Sequence, residues 1–329
     1  MSNILTLPDN EDTDLLDSVA QEFRLGYAEL ADNAERELSG KNFIFSRYGK
    51  ELYPYFEDAD ATVVPGCIIP LKEGRPVASV DSTCVLLGES SGGALYAARM
   101  SVGISFRGAL RKFARLGPLL VYVSESGVSG IKVRPSRAEL GLLMSDHSIA
   151  ERMIRNSIER KAVQSLLQSE SKLIVMTDGS LKHPYTQMSE LALSRENGSS
   201  LVGFSKSSSL ILSEGVVSSI NKADGAAFHV IDDGAVKTAL AKFSKDGLVF
   251  RLDFAEGGET LKDTLGLMLF NDAFASGYPE SLKVAHHLSI FSKADDQALK
   301  AFVTRRFRLK RLPTFALRTI ALGSFRGGS

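Results

Sequence analysis

The sequence predicts an α/β protein in which a mixed β-sheet is flanked by helices, with helical additions at its N-terminal and C-terminal ends. Three observations carry this. Residues 77–124 hold apolar runs separated by turn signals, the pattern of an antiparallel meander. Leu173-Ile174-Val175-Met176 is a continuous apolar run of the kind buried on both faces of a sheet. The final third of the chain has helical periodicity. A meander followed by alternating helices and strands is the order of a mixed sheet with helices packed on it.

Region 1–74 opens on an acidic tail with Asp9, Glu11, Asp12, Asp14 and Asp17. A helix is expected from Leu15 to Leu38, where Leu15, Val19, Phe23, Tyr27 and Leu30 recur at helical spacing, and Ser39-Gly40 stops it. Tyr48 to Gly74 contains Pro54, Pro65 and Pro70 and reads as loop with short extended pieces. Region 75–292 is the expected central domain. Its first strand runs from Val77 to Leu87, after Pro76 and before the turn Gly88-Glu89-Ser90-Ser91-Gly92-Gly93. Ala94 to Ile104 forms a hairpin with it, and Pro118 to Ser124 is a third strand. Helical pattern occupies Arg137 to Gln168. The buried strand at Leu173 to Met176 then ends at Asp178-Gly179. A helix, a strand from Leu201 to Ser205, a helix, and short strands near Ala227, Val236 and Val249 follow. Helices are expected over Thr260 to Ala275, Pro279 to Ser292 and Asp295 to Phe307. Region 293–329 is basic and is expected to pack on the same domain.

Composition narrows the function. Hydrophobic residues make up 44% of the 329, enough for a sizeable core. Lys plus Arg and Asp plus Glu both number 39, so no global basic signature marks a nucleic-acid binder and charge has to be read locally. Cys67 and Cys84 lack the paired spacing of a zinc site and are too few for a disulfide framework. An acidic start is the opposite of a secretory or mitochondrial leader. No apolar run approaches the roughly 20 residues that span a bilayer. The expectation is a soluble, cytoplasmic protein. The chain has no Gly-Lys-Ser/Thr, hence no Walker-type phosphate loop.

Three carboxylates stand out. Asp81 interrupts the apolar run Val77-Ala78-Ser79-Val80-Asp81-Ser82-Thr83-Cys84-Val85, where an unpaired charge is expensive to bury; an edge strand with a solvated Asp is the plain alternative. Asp178 sits where a buried strand emerges, at the strand end where ligands gather in open α/β sheets, although Asp-Gly is also a common turn pair. Glu159 lies at the margin of the stripe Ile154, Ile158, Ala162 and Leu166, with Val163 beside it. It can point inward at the sheet or pair with Arg155, four residues back. Together they form a set of hard oxygen ligands suited to Mg²⁺ or Mn²⁺, and such ions activate water and stabilise the leaving oxygen of a phosphodiester. An Asp in the opening strand of a meander, a helix Glu and a strand-end Asp is the RNase H-like arrangement.

Longer motifs add to this. Leu173-Ile174-Val175-Met176-Thr177-Asp178-Gly179-Ser180-Leu181 followed by Leu201-Val202-Gly203-Phe204-Ser205-Lys206 resembles the NurA nuclease domain: an apolar strand, Asp-Gly-small-Leu, a variable helix, then Val-Gly-apolar-small-Lys. Val80-Asp81-Ser82 resembles that family's first acidic motif, with Ser82 where glycine is usual. Glu159 precedes Asp178 by 19 residues, a separation that fits the family's acidic pair. Gly277-Tyr278-Pro279 through Ala285-His286-His287 resembles its C-terminal Tyr-Pro…Ala-His motif. The resemblance spans residues 75 to 292. It implies catalytic roles for Asp81, Glu159, Asp178, Tyr278 and His286, with Asp81, Glu159, Asp178 and His286 holding the metal. Tyr278 and His286 are eight residues apart, about two helical turns, so both are expected to face one side, with His287 turned away. Pro279 suits the first helical turn.

For DNA contact, Lys206 ends a buried strand as Asp178 does, and Arg251 lies in the strand Leu248 to Phe254. The last thirty residues hold Lys300, Arg305, Arg306, Arg308, Lys310, Arg311, Arg318 and Arg326 and no Asp or Glu, a stretch able to track a DNA backbone. Interleaved Phe302, Phe307 and Phe315 are expected to fill core rather than stack on bases. The resemblance implies a Mn²⁺- or Mg²⁺-dependent deoxyribonuclease with 5′ to 3′ exonuclease and single-strand endonuclease activity. It also implies a homodimer working with a hexameric HerA-type ATPase translocase in DNA-end resection and repair, or in phage defence. A non-catalytic DNA-binding or adaptor subunit of such a complex is the alternative.

Overall fold

The computed structural model describes residues 55–57, 63–131, 134–168, 172–182, 198–205, 211–255 and 259–310. The expected N-terminal helix, the helix between Asp178 and Leu201, Lys206, Phe315 and the arginines from Arg311 onward lie outside these residues.

The strands, in chain order, are β1 (Tyr55–Glu57), β2 (Gly66–Cys67), β3 (Val77–Ser90), β4 (Gly93–Phe106), β5 (Ala109–Ser124), β6 (Gly127–Ser129), β7 (Ile174–Asp178), β8 (Ser200–Ser205), β9 (Ile211–Ser213), β10 (Ala227–Asp232), β11 (Lys237–Lys242), β12 (Phe250–Ala255), β13 (Phe274–Ala275) and β14 (Tyr278–Pro279). The helices are α1 (Arg137–Ser145), α2 (His147–Leu167), α3 (Glu214–Lys222), α4 (Leu261–Asn271), α5 (Glu280–Ser289) and α6 (Lys293–Arg306). Ten strands form one sheet in the order β2-β10-β11-β12-β8-β7-β3-β4-β5-β6. At its centre β3, β4 and β5 are an antiparallel meander, and β7 and β8 add parallel to β3. This is the RNase H-like order, and helices cover both faces. Among the described residues, no helix is long and apolar enough to cross a membrane.

Strand period two divides the core. Val77, Ile174, Met176, Val202 and Phe204 face α4 and α5, packing with Leu265, Met268 and Leu282. Val80, Val175 and Leu201 face α2, with Val163 and Leu167. Both faces of β3 and β7 are therefore buried, which explains their apolar runs.

Several elements differ from expectation for identifiable reasons. The single helical pattern 137–168 is two helices, because Asp146 has an extended backbone (φ −140, ψ 109) and its side chain caps Ser148 N–H at the start of α2. In α2 the buried positions form two i, i+4 runs, Ala150-Ile154-Ile158 and Glu159-Val163-Leu167. The second begins one residue after the first ends, about 100° round the helix, so Val163 and Leu167 replace the expected Ala162 and Leu166 as the buried pair. β5 starts at Ala109 rather than Pro118. Residues 111–119 are exposed, and their apolar Phe113, Leu116 and Leu119 recur every three residues rather than every two, so no strand alternation shows; Pro118 is accommodated where the β4 register shifts between Ala98 and Met100. The helix expected to reach Ala275 ends at Asn271, and Phe274-Ala275 instead pairs with Tyr278-Pro279 across Ser276 and Gly277, both with positive φ. Phe302 and Phe307 are exposed rather than core, because α6 buries Leu299 and Val303, and Phe302 lies one residue off that stripe.

Candidate metal centre

Sheet register places the first two carboxylates side by side. Val77 pairs with Ile174 and Ser79 with Met176 on the parallel strand, and both rows face α4 and α5. One more step of the two-residue period brings Asp81 next to Asp178 on that face. Asp81 is 5% exposed, and Asp178, at the end of β7, is partly exposed.

α5 lies over this pair on a seam of small residues. Ser281 Oγ donates to Asp272 Oδ2 at 2.5 Å and lies 2.6 Å from Ser79 Oγ, so Ser79 is the donor in that bond. Ser101 Oγ donates to the Ala285 carbonyl. Gly103 meets the helix most closely: a Cβ there would come 2.8 Å from the Ser281 carbonyl oxygen. With Leu282, Ala285 and Ser289 facing the sheet, His286 projects towards the carboxylates and His287 is exposed. His286 Nδ1 lies 2.7 Å from Asp81 Oδ2, and Ser289 Oγ donates to the same oxygen at 3.2 Å. These bonds offset the cost of burying Asp81. One ligand atom from each of Asp81, Asp178 and His286 falls within 4.8 Å of the others.

Glu159 approaches differently. Adjacent residues of a strand point to opposite faces. Asp81 meets α5, whereas Ser82 points to α2 and donates to Glu159 Oε1 at 2.6 Å. Glu159 takes the inward of the two orientations open to it, because it heads the buried run Glu159-Val163-Leu167, yet it stands outside the three-residue group, on the other face of β3. Burial pushes its pKa up to about 7. The Ser82 hydrogen bond and the Arg155 charge oppose this, and the negative charges of Asp81 and Asp178 reinforce it.

Tyr278 precedes α5 rather than lying on it, because Pro279 is the N-cap, so the expected two-turn alignment with His286 does not exist. The tyrosine is fixed by aromatic packing instead. Its ring meets Phe204 edge-on at 5.2 Å and lies 5.6 Å from Phe250. Burial, then the charges of Asp178 and Asp81, hold its phenol well above the usual tyrosine range.

Arg251, a candidate phosphate contact, is turned to Asp253, with its Nη2 3.0 Å from Asp253 Oδ1. Asp253 itself is fully buried, and the signal that marked Asp81, a carboxylate in an apolar strand, marks it equally in Phe250-Arg251-Leu252-Asp253-Phe254. Arg305, Arg306 and Arg308 are exposed at the end of α6. That helix packs on Leu87 and Ala97, with Val85 beside them. Leu87 is six residues along β3 from Asp81, a distance of about 20 Å.

No protein-family model and no curated protein matches the chain. Solved structures do. The chain is similar to NurA structures. The NurA nuclease from Sulfolobus solfataricus shares 11% identity, over 93% of this chain and 100% of that one, with a TM-score of 0.47. A second NurA structure shares 10%, over 74% and 91%, with a TM-score of 0.42. Endonuclease V from Bacillus subtilis shares 12%, over 74% and 88%, with a TM-score of 0.37.

Proposed function

We propose that this chain is a metal-dependent DNA nuclease of the NurA type. The observation that carries the reading is the convergence of Asp81, Asp178 and His286 from two parallel strands and one helix. Two carboxylates and an imidazole are a donor set that fits Mn²⁺ or Mg²⁺, with the imidazole favouring Mn²⁺. Asp81, Asp178 and His286 would hold the ion, and Glu159 would adjust the charge of the centre from behind β3. When bound, a divalent ion lowers the pKa of water and stabilises charge on phosphodiester oxygens.

The side chains supply the rest. A carboxylate only accepts, so the proton of His286 is on Nδ1 when it bonds to Asp81, leaving the Nε2 lone pair as the one that could ligate the ion. Tyr278 keeps its phenolic hydrogen, with its ring fixed against Phe204 and Phe250. In the hydrolysis, a water oxygen bonds to phosphorus, the ester P–O bond breaks, and the water's proton ends on the leaving oxygen. The finer reading is 5′ to 3′ exonuclease and single-strand endonuclease activity, by a cytoplasmic homodimer coupled to a HerA-type translocase in DNA-end resection. The motif resemblance supports it.

The test is incubation of the purified protein with single-stranded DNA, in Mn²⁺ or in EDTA. Degradation in Mn²⁺ alone is expected, and Asp81→Asn or Asp178→Asn is expected to abolish it with the far-UV CD spectrum unchanged. Stable DNA binding with no cleavage in any metal would overturn the proposal in favour of a binding subunit.

A further inference from the structure

We infer that Asp253 is a positioning residue for Asp178, acting through the loop that leaves β7. The inference rests on the metal-site reading only for its consequence; the anchoring itself stands on geometry. Across the sheet, Thr177 of β7 pairs with Gly203 of β8, and Gly203 pairs with Asp253 of β12. The three residues form one row. Its middle position has no side chain, and the chain uses that gap. An ideal Cβ at Gly203 would lie 2.5 Å from the Gly179 carbonyl oxygen and 3.1 Å from Leu181 N. The loop after Asp178 therefore folds back over β8 through the space that Gly203 leaves open. Gly179 begins this turn with φ +119, a conformation that L side chains rarely adopt, and its N–H donates to the Phe204 carbonyl at 3.0 Å.

On the far side of Gly203 the loop is held by Asp253. Its Oδ2 accepts from Ser180 Oγ and, at 3.1 Å, from Leu181 N–H. Its Oδ1 accepts from Thr238 Oγ1 at 3.0 Å and from Arg251 Nη2 at 3.0 Å. A fully buried carboxylate is costly unless paired and hydrogen-bonded, and here it has a guanidinium plus three further donors. Two of those donors belong to the segment immediately following Asp178. The direction in which the Asp178 carboxylate leaves the sheet is thus fixed by a carboxylate two strands away. Arg251 balances the charge of that anchor, which accounts for its being drawn from the surface.

Asp253→Asn keeps the shape but replaces one acceptor oxygen with an NH₂ donor. If the amide oxygen stays with Arg251 and Thr238, the NH₂ faces the Leu181 N–H, a donor against a donor, and the loop is released. Two measurements on the full chain test this. Amide hydrogen exchange without metal is expected to rise at least about tenfold in a peptide spanning 178–182, with peptides of β3 and α5 unchanged. Calorimetric titration with Mn²⁺ alone is expected to show affinity lowered by roughly 10–100-fold, the usual cost of losing a group that orients a ligand. Excess Mn²⁺ is expected to restore DNA cleavage in large part. Ser180→Ala, which removes one of the two loop bonds and leaves the carboxylate, is expected to give a smaller change in the same direction. Unaltered exchange at 178–182 in Asp253→Asn would overturn the anchoring. Faster exchange with unchanged Mn²⁺ affinity would overturn its link to Asp178. Absence of Mn²⁺ binding by the wild-type chain, with exchange still accelerated in the variant, would count against the nuclease reading while the anchor stands.

Discussion

Glu159 holds its proton to about pH 7 because the space between α2 and β3 is dry and two aspartates lie beyond the strand. Folding therefore raises its pKa from 4.5. The folded chain keeps a proton that the unfolded chain releases, so the contribution of this carboxyl to stability is fully present below about pH 4.5 and is lost as pH rises through about 7. Urea unfolding of the wild type and Glu159→Gln across that window is expected to show the wild type losing stability relative to the variant as pH rises. Parallel curves would mean that the carboxyl is already ionised when folded. The same scale shows what the sequence makes legible. Asp81 and Asp178 are visible because a charge inside or at the end of an apolar strand has to be explained by a partner. Asp253 carries that signal too, but two of its partners, Ser180 and Leu181, come from a loop crossing over Gly203, and nothing in the strand pattern announces a crossing. The expectation of His286 over His287 rests on the motif resemblance and on alignment with Tyr278; in the structure Tyr278 stands before the helix, and it is the phase of Leu282, Ala285 and Ser289 that turns His286 inward.

Among elements, α5 decides whether the centre is assembled, and its seat is Gly103. Gly103→Ala forces either the strand or the helix backbone to shift, since the Ser281 carbonyl would be 2.8 Å from the new methyl carbon. Overpacking of this kind costs about 1–3 kcal/mol, and His286 moves with the helix. Lower stability in urea together with weaker Mn²⁺ binding is expected. Gly141→Ala offers the contrast: it lies in α1 with nothing within 4 Å of the new Cβ, so a gain of about 0.5–1 kcal/mol is expected. If Gly103→Ala leaves both properties unchanged, the seam is looser than drawn. Strands buried on both faces, such as β3 and β7, and the hairpin of β3 with β4 were readable from apolar runs and turn residues. The outer half of β5 was not, because an exposed strand has no burial to pattern it. The β13–β14 hairpin was hidden because Tyr-Pro at a helix start is equally good chemistry for a short strand followed by an N-cap.

At the scale of the molecule, charge is spread along the sheet rather than gathered at the centre. Arg305, Arg306 and Arg308 follow Val303, which packs with Leu87 near the hairpin end of β3, and Leu87 is about 20 Å along the strand from Asp81, so a DNA contact there would bind substrate away from the reacting atoms. Replacing all three with Gln is expected to weaken single-stranded DNA binding and to flatten the slope of log affinity against log salt by about 2, if each contributes one phosphate contact. Turnover at saturating DNA should be preserved. An unchanged slope would put the DNA path elsewhere. The bond between Asp81 and His286 has a different consequence, because it joins residues 205 positions apart. During synthesis the meander, Asp81, Glu159 and Asp178 all emerge before α5 exists. A nascent or truncated chain ending before residue 286 can therefore carry the acidic pair but never the imidazole beside it. Among the described residues the centre is completed by the last helix but one, which ties its assembly to the arrival of almost the whole described fold.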